Sequence, residues 1–554
     1  MSASLTAQLG ESLGAFRGIF ANANIRRVQL AFAGAITGTY AYAIAVSVFA
    51  YERGGVAAVG VLTAVRLATA AAISPFAASF ADRFRRERVM LASDLLRVVT
   101  VGIAAIAADR HWSAYVVYAM AVLTSIGGVV FRPAASALLP TIAATPEEMT
   151  AANVSYSTLD SIGSFVGPAL GALLLAASSP ALVFAFTAAT FAWSAVLVAR
   201  ITAARPEATG EDASEHEAGH EGMLGGVRAI RAEPRLALLI GLSGAQAFVA
   251  GALGVLVVVT ALRLLDLGSA GVGILEAVSG IGSIVGAAVM LALLARKRLG
   301  EDLALGIFLW GAPLVVLGLF VNTAVALLAW GLIGLGNTLV DVAAITLLQR
   351  TAPPAVAARV FGVLESMVIG GMALGSLVAP ILVGVGGARF ALIVIGAVLP
   401  ILVVLSFARL RAIDEGARVD EERIAILRDV PFLAPLPLAT LEFLAGRIAR
   451  IQLAAGGTLF RRGDHGDRFY VLTHGSIEIE LDGGTKRETA PAYVGEIALL
   501  HDVPRTATVA ADTACELWAL ERDDFLAAVT GHAGSTRLAQ DVAAARIGTV
   551  PGPA

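Results

Sequence analysis

The chain has 554 residues, of which 57% are hydrophobic and 15% charged, with a formal net charge of −3 and a mean hydropathy of +0.79. Soluble globular proteins carry about a quarter charged residues, so an ordinary soluble enzyme is excluded. The charge balance offers no footprint for nucleic acid, and the single cysteine, Cys515, excludes an intrachain disulfide.

Residues 1–27 are mixed in character, and Arg26 and Arg27 abut the first long apolar run. No cleavable signal pattern is evident there. Crossing the hydrocarbon layer takes about 20 apolar residues. Twelve spans are predicted, at 28–50, 56–80, 89–108, 113–137, 152–177, 181–200, 235–262, 270–295, 302–320, 324–348, 360–384 and 387–409. The short breaks hold turn signals such as "ERGG", "SSP" and "GVGG". The implied organisation is a cytosolic segment 1–27, a six-helix bundle 28–200, a linker 201–234 and a second bundle 235–410.

Loop charge sets the expected orientation. The loop after span 2 holds Arg83, Arg85, Arg86 and Arg88, and the loop after span 8 holds Arg296, Lys297 and Arg298. Both fall on one side, which predicts a multi-pass protein of the inner (plasma) membrane with both termini cytoplasmic. The stretch "RPEATGEDASEHEAGHEG" reads as a flexible acidic linker. Its "HEAGH", 216–220, matches the H-E-x-x-H zinc pattern. Zinc needs both histidines on one rigid helix face and a third ligand, so no metal site is expected.

The two halves echo one another in order. "VGVLTAVRL" (59–67) resembles "VGILEAVSG" (272–280), "ASALLP" (135–140) resembles "AITLLQ" (344–349), and "TLDSI" (158–162) resembles "VLESM" (363–367). These pair span 2 with 8, 4 with 10 and 5 with 11, the signature of a parallel repeat with a substrate site between the halves.

An ionisable residue at a helix centre costs roughly 2.5–3.5 kcal/mol on insertion scales and is a functional candidate. The transport or coupling candidates are Arg66, Arg132, Asp160, Glu276, Asp341 and Glu365. The repeat aligns Arg132 with Asp341 and Asp160 with Glu365. Glu276, Asp341 and Glu365 place the first expectation in the C-terminal half. Asp94 and Arg97, three residues apart, suit a structural ion pair linking span 3 to the gate.

"ADRFRRERVML", between spans 2 and 3, resembles the loop signature of the major facilitator superfamily in Asp82, Arg83, Arg86 and Arg88. Ala78 and Arg85 stand where that signature has glycines, and Glu87 replaces a base. With "FRPAASALLP" and "AANVSYSTLDSIGSFVGPALGALL", these departures resemble the branch of siderophore exporters, macrolide exporters and lysophospholipid transporters. The resemblance covers roughly 20–410. It implies a twelve-helix fold of two six-helix repeats, a gating loop that includes Asp82, Arg83 and Arg86 beside Asp94 and Arg97, and Asp82 near the start of span 11. It also implies an amphipathic small molecule or lipid as substrate, with protons possible as the coupling ion.

After residue 410, "AIDEGARVDEERIAILRD" reads as a connecting helix over 411–429. Residues 430–546 then show short alternating segments with Gly turns, the grammar of strands and hairpins. A singly charged cyclic phosphate calls for backbone N–H groups at a helix start and a guanidinium with two aligned donors. "VGEIALLHDVPRTATVAA" supplies both, and with "GDHGDRFYVLTHGSIEIEL" it resembles the cyclic-nucleotide-binding domain. That resemblance implies a β-roll whose cassette is Gly495, Glu496, Ile497, Ala498, Arg505, Thr506 and Ala507, with Glu496 accepting from the ribose hydroxyl.

Thr506 is compatible with either cAMP or cGMP, and Leu538, Val542 or Arg546 are candidates to cap the base. No helix-turn-helix follows, and no nucleophile, base and oxyanion constellation suggests an enzyme. The expectation is a secondary active transporter, an exporter or lipid transporter of amphipathic substrates, regulated by cAMP or cGMP. The alternatives are a receptor that uses the transporter fold without transport, and a transporter whose degenerate nucleotide domain serves as a scaffold.

Overall fold

A peptide group without a partner is costly in hydrocarbon, so each apolar run must close its own hydrogen bonds as a helix. The computed structural model describes residues 22–142, 146–201, 226–228, 230–294, 298–352, 357–481, 484–530 and 533–548. Within helices, the side chains of 75–83, 132, 415–421 and 546, among others, lie outside that description. So do most of the expected N-terminal segment 1–27 and of the linker, "HEAGH" included.

The chain divides into two compact units, Met1–Arg411 and Ala412–Ala554. In the first, ten described helices are long and apolar enough to cross a membrane. Two of them, Ala23–Ser74 and Arg359–Asp414, have 52 and 56 residues, enough for two spans each. A helix rises 1.5 Å per residue, so either one laid straight would exceed twice the ~30 Å hydrocarbon thickness. The helical path breaks in each at one residue, Gly55 (φ 65°) and Gly387 (φ 79°). A side chain is strained at such φ values, and glycine is not. "ERGG" and "GVGG" suggest short loops, but each break narrows to a single glycine of non-helical backbone. Twelve spans result, as the sequence predicts.

Hydroxyls in these apolar helices satisfy themselves on the preceding turn. Thr37 donates to the Ala33 carbonyl at 2.8 Å, Ser47 to Ala43 at 2.9 Å and Thr124 to Met120 at 2.7 Å. Pro180 and Pro234 sit in the first turns of spans 6 and 7, where a missing N–H costs nothing. Asn322 caps span 10 by accepting from Val325 N at 2.9 Å.

Small residues let the helices approach closely. In the N-terminal half, span 1 packs on span 5 through Gly167 beside Tyr40 and Thr37, and on span 6 through Gly38 beside Thr190. In the C-terminal half, Gly375 of span 11 faces Phe248 of span 7, and Gly334 of span 10 faces Ser279 of span 8. The halves meet at two equivalent seams. A Cβ at Gly60 in span 2 would come within 2.3 Å of the Ser376 carbonyl oxygen in span 11. A Cβ at Gly273 in span 8 would come within 2.7 Å of the Pro168 carbonyl oxygen in span 5. Gly60 and Gly273 occupy the same position in the internal repeat.

The second unit is a β-roll of two antiparallel four-stranded sheets. Its strands are β1 (Ala449–Leu453), β2 (Thr458–Phe460), β3 (Arg468–His474), β4 (Ser476–Leu481), β5 (Gly484–Thr489), β6 (Ala492–Val494), β7 (Thr508–Ala511) and β8 (Cys515–Glu521). The strand orders are β1-β8-β3-β6 and β2-β7-β4-β5. Alternate residues point inward, so Leu472, Ile477, Val509 and Leu517 bury a common core. Cys515 lies in it, 4% exposed, its thiol donating to the Ser476 carbonyl at 3.1 Å. A second core joins Leu427, Phe432, Leu441, Phe469, Phe525 and Ala539. It packs the flanking helices, including Arg522–Thr530 and Ala533–Gly548, against the roll.

Candidate nucleotide pocket and central cavity

In the β-roll, β6 ends at Val494, and Gly495 follows with φ 95°, opening the short helix Glu496–Leu500. A Cβ on Gly495 would sit 2.6 Å from Arg505 Nη1. Glycine is therefore required both by the backbone and by the approach of the guanidinium. Glu496, Ala498 and Ala507 are buried, Ile497 is half-buried and Thr506 is exposed.

Arg505 is 2% exposed. Its Nη1 donates to the Gly495 carbonyl at 3.1 Å, and its Nη2 donates to the Arg468 carbonyl at 2.7 Å and to Asp467 Oδ1 at 3.2 Å. The guanidinium lies 4.2 Å from the Phe460 ring centroid and 5.8 Å from that of Tyr470. Its Nε is buried and has no hydrogen-bond partner. The backbone is held as tightly: Arg505 N donates to the Asp464 carbonyl at 2.8 Å, and Gly463 N to the Arg505 carbonyl at 2.9 Å.

The structure thus places Arg505 against the Gly495–Glu496 turn. It adds Phe460, Asp467 and Tyr470, which sequence reasoning missed. Their only signal is strand register, since β2 and β3 must be placed before their aromatics can be seen to flank Arg505. Burial, then the Asp467 carboxylate, push the Tyr470 phenol above its ordinary value, against the pull of Arg505. The helix Ala533–Gly548 contacts the short helix Glu496–Leu500. On it Leu538 is exposed and Val542 packs on the helical core, while the Arg546 side chain lies outside the described residues.

In the membrane unit a cavity of ≈ 780 Å³ lies between the halves. Asp160 of span 5, Glu276 of span 8 and Asp341 of span 10 line it. Asp341 Oδ2 accepts from Asn337 Nδ2 at 2.9 Å. Trp310, Trp330 and Asn337 also line it and were missed from the sequence, although the i, i+4 spacing of Asn337 and Asp341 was a readable signal.

Glu365 departs from the expected set. It is exposed and is not among the residues lining the cavity. Arg66 lines a smaller cavity of ≈ 330 Å³ inside the N-terminal half, 5.8 Å from the Tyr42 ring centroid. The side chains of Arg132, Asp82 and Arg83 lie outside the described residues, and Arg86 is half-buried.

Asp94 and Arg97 form an ion pair, both almost fully buried. The anchors among the described residues lie in spans 4 and 6. Ser194 of span 6 donates to Asp94 Oδ2 at 2.6 Å, and the guanidinium lies 4.7 Å and 4.3 Å from the Phe131 and Phe191 ring centroids. The pair ties span 3 to spans 4 and 6.

Residues 29–303 match the family model for the Major Facilitator Superfamily, and residues 450–532 match that for the cyclic nucleotide-binding domain. The chain is 36% identical over 104 residues to the cAMP-dependent protein kinase regulatory subunit of Aspergillus niger, covering 18% of this chain and 25% of that one. It is 32% identical over 113 residues to a cGMP-dependent protein kinase of Drosophila melanogaster, covering 20% of this chain and 10% of that one. The chain thus spans a quarter or less of these relatives. A crystal structure of a mutant of the nucleoside transporter NupG aligns with a TM-score of 0.59 at 11% identity, covering 69% of this chain and 99% of that one. That likeness shows the fold. The protein is a multi-pass membrane protein that carries a Major Facilitator Superfamily domain and, C-terminal to it, a cyclic nucleotide-binding domain.

Proposed function

We propose that the protein is a secondary active transporter of amphipathic substrates, working as an exporter or lipid transporter, whose activity is set by cAMP or cGMP bound to its tail. The observation that carries the regulatory half is Arg505. Its guanidinium is buried against the Gly495–Glu496 turn and retains a buried Nε without a protein partner. A cyclic phosphate at this turn would meet the cassette Gly495, Glu496, Ile497, Ala498, Arg505, Thr506 and Ala507, with Glu496 as acceptor for the ribose hydroxyl.

The transport half rests on the cavity between the two repeats. Its three carboxylates, together with polar and aromatic side chains, suit an amphipathic solute. The two bundles would rock about this cavity. Nucleotide shifts that equilibrium only through a difference in affinity between its two states. Segment 411–429, which joins the transporter to the tail in the chain, is the route for that coupling.

Titration of cAMP and cGMP into the full-length protein by calorimetry tests the reading, with Arg505→Ala and the milder Glu496→Gln as variants. Saturable heat that both variants diminish supports a nucleotide-regulated protein and identifies the messenger. No heat from either nucleotide leaves the tail as a scaffold and removes the regulatory half.

A further inference from the structure

The lining of the central cavity is one-sided in charge. It contains Asp160, Glu276 and Asp341, and no Lys, Arg or His among the described residues. Glu276 and Asp341 come from spans 8 and 10, which pack directly through Gly334 and Ser279, so both carboxylates belong to one wall. Two indoles join them. Trp330 is fully buried and Trp310 is 7% exposed, and in both the Nε1–H is buried without a hydrogen-bond partner. The Trp330 indole faces the Glu276 carboxylate but does not reach hydrogen-bond geometry.

Each feature asks for a different part of one ligand. Carboxylates without a base on the same wall call for a cation. Indole rings attract a cation through their faces, most strongly where water is excluded. A buried indole N–H without an acceptor carries a desolvation cost that a ligand oxygen would relieve. The volume of ≈ 780 Å³ lies in the range of small-molecule sites, about 300–1,000 Å³.

We propose that this cavity binds organic cations: a protonated amine or quaternary ammonium held by Glu276 and Asp341, attached to an apolar body whose hydrogen-bond acceptor takes the indole N–H of Trp330 or Trp310. This rests on the transporter reading of the same cavity and names its substrate class.

Benzoylcholine and its neutral carba analogue, in which carbon replaces the ammonium nitrogen, provide the test. The two share shape and ester carbonyl and differ in charge. Binding to purified full-length protein is read by calorimetry. The expected result is that benzoylcholine binds at least about tenfold more tightly, a difference of about 1.4 kcal/mol. Glu276→Gln and Asp341→Asn, each nearly isosteric, should each reduce that preference, and together should abolish it. Trp330→Phe, which keeps a ring and loses the N–H, should weaken both esters.

Equal affinity for the two esters overturns the cation site. So does a preference that survives both carboxylate substitutions, or the absence of saturable binding by either ester. Uptake into proteoliposomes separates the two readings. Charge-selective binding without uptake supports the cation site and sinks the transporter. Uptake that favours the neutral ester supports a transporter and overturns the cation site.

Discussion

The guanidinium of Arg505 lies 4.2 Å from the centroid of the Phe460 ring, and its Nη1 donates to the Gly495 carbonyl at 3.1 Å. One side chain thus both holds the turn and offers a cation to it. Hydrogen bonds to charged groups contribute about 1.5–3 kcal/mol, so Arg505→Ala should weaken nucleotide binding by roughly 10- to 150-fold. Arg505→Lys should rescue little, because an ammonium lacks the planar fork. Calorimetry on the full-length variants decides it, and wild-type affinity in Arg505→Lys would show that charge alone suffices.

Gly495→Ala is expected to be damaging for two reasons in the same place. The backbone there has φ 95°, and the new methyl would meet Arg505 Nη1 at 2.6 Å. A non-glycine residue at such a φ costs of order 1–3 kcal/mol. The tail's thermal midpoint should fall, and nucleotide affinity with it. An unchanged midpoint would mean that the turn relaxes without displacing Arg505.

Much of this arrangement is readable in the linear chain, and the limits are physical. Gly495, Glu496 and Arg505 lie within eleven consecutive residues, so local spacing reveals them. Phe460 and Asp467 reach Arg505 only through tertiary packing of the roll, and no local pattern announces that. In the membrane, apolar run length gives the spans directly, since hydrocarbon thickness fixes it. Which face of a span looks inward depends on neighbours. Glu365 and Glu276 are alike as isolated letters, yet only Glu276 lines the cavity.

Asp94 and Arg97 offer a test of a buried pair. Removing one partner of such a pair typically costs about 3–5 kcal/mol, whereas replacing both by apolar residues is often neutral. Asp94→Ala should therefore lower the thermal stability of the detergent-solubilised protein sharply, since it leaves Arg97 uncompensated between Phe131 and Phe191. Asp94→Leu with Arg97→Met should recover much of the loss. A double variant as unstable as the single would assign the effect to packing instead of charge.

The tail should also respond to base. Burial raises the Tyr470 phenol above its ordinary value of 10.0, so the folded state holds that proton more tightly than the unfolded one. The resulting stability is present below about pH 10 and is lost as pH rises through the raised value. The tail's thermal midpoint should decline above that point, and Tyr470→Phe should flatten the decline. An equally steep fall in Tyr470→Phe would point to another group.

Gly60 and Gly273 hold the two halves together at equivalent places in the repeat. Valine at either should wedge its seam, and valine at both should bias the protein strongly toward opening on that side. The measurement is modification, by a membrane-impermeant thiol reagent, of cysteines placed singly at Ser376 and Ala172. Unchanged modification rates in the double-valine protein would show that these seams do not control access.

The lone thiol of Cys515, sealed in the β-roll core and bonded to the Ser476 carbonyl, makes that kind of experiment unusually direct. Nature has supplied a nearly silent background for probe chemistry. Pairs of spin labels or fluorophores could be attached across the transporter, and distances followed as nucleotide is added, without first stripping the protein of competing sulfur.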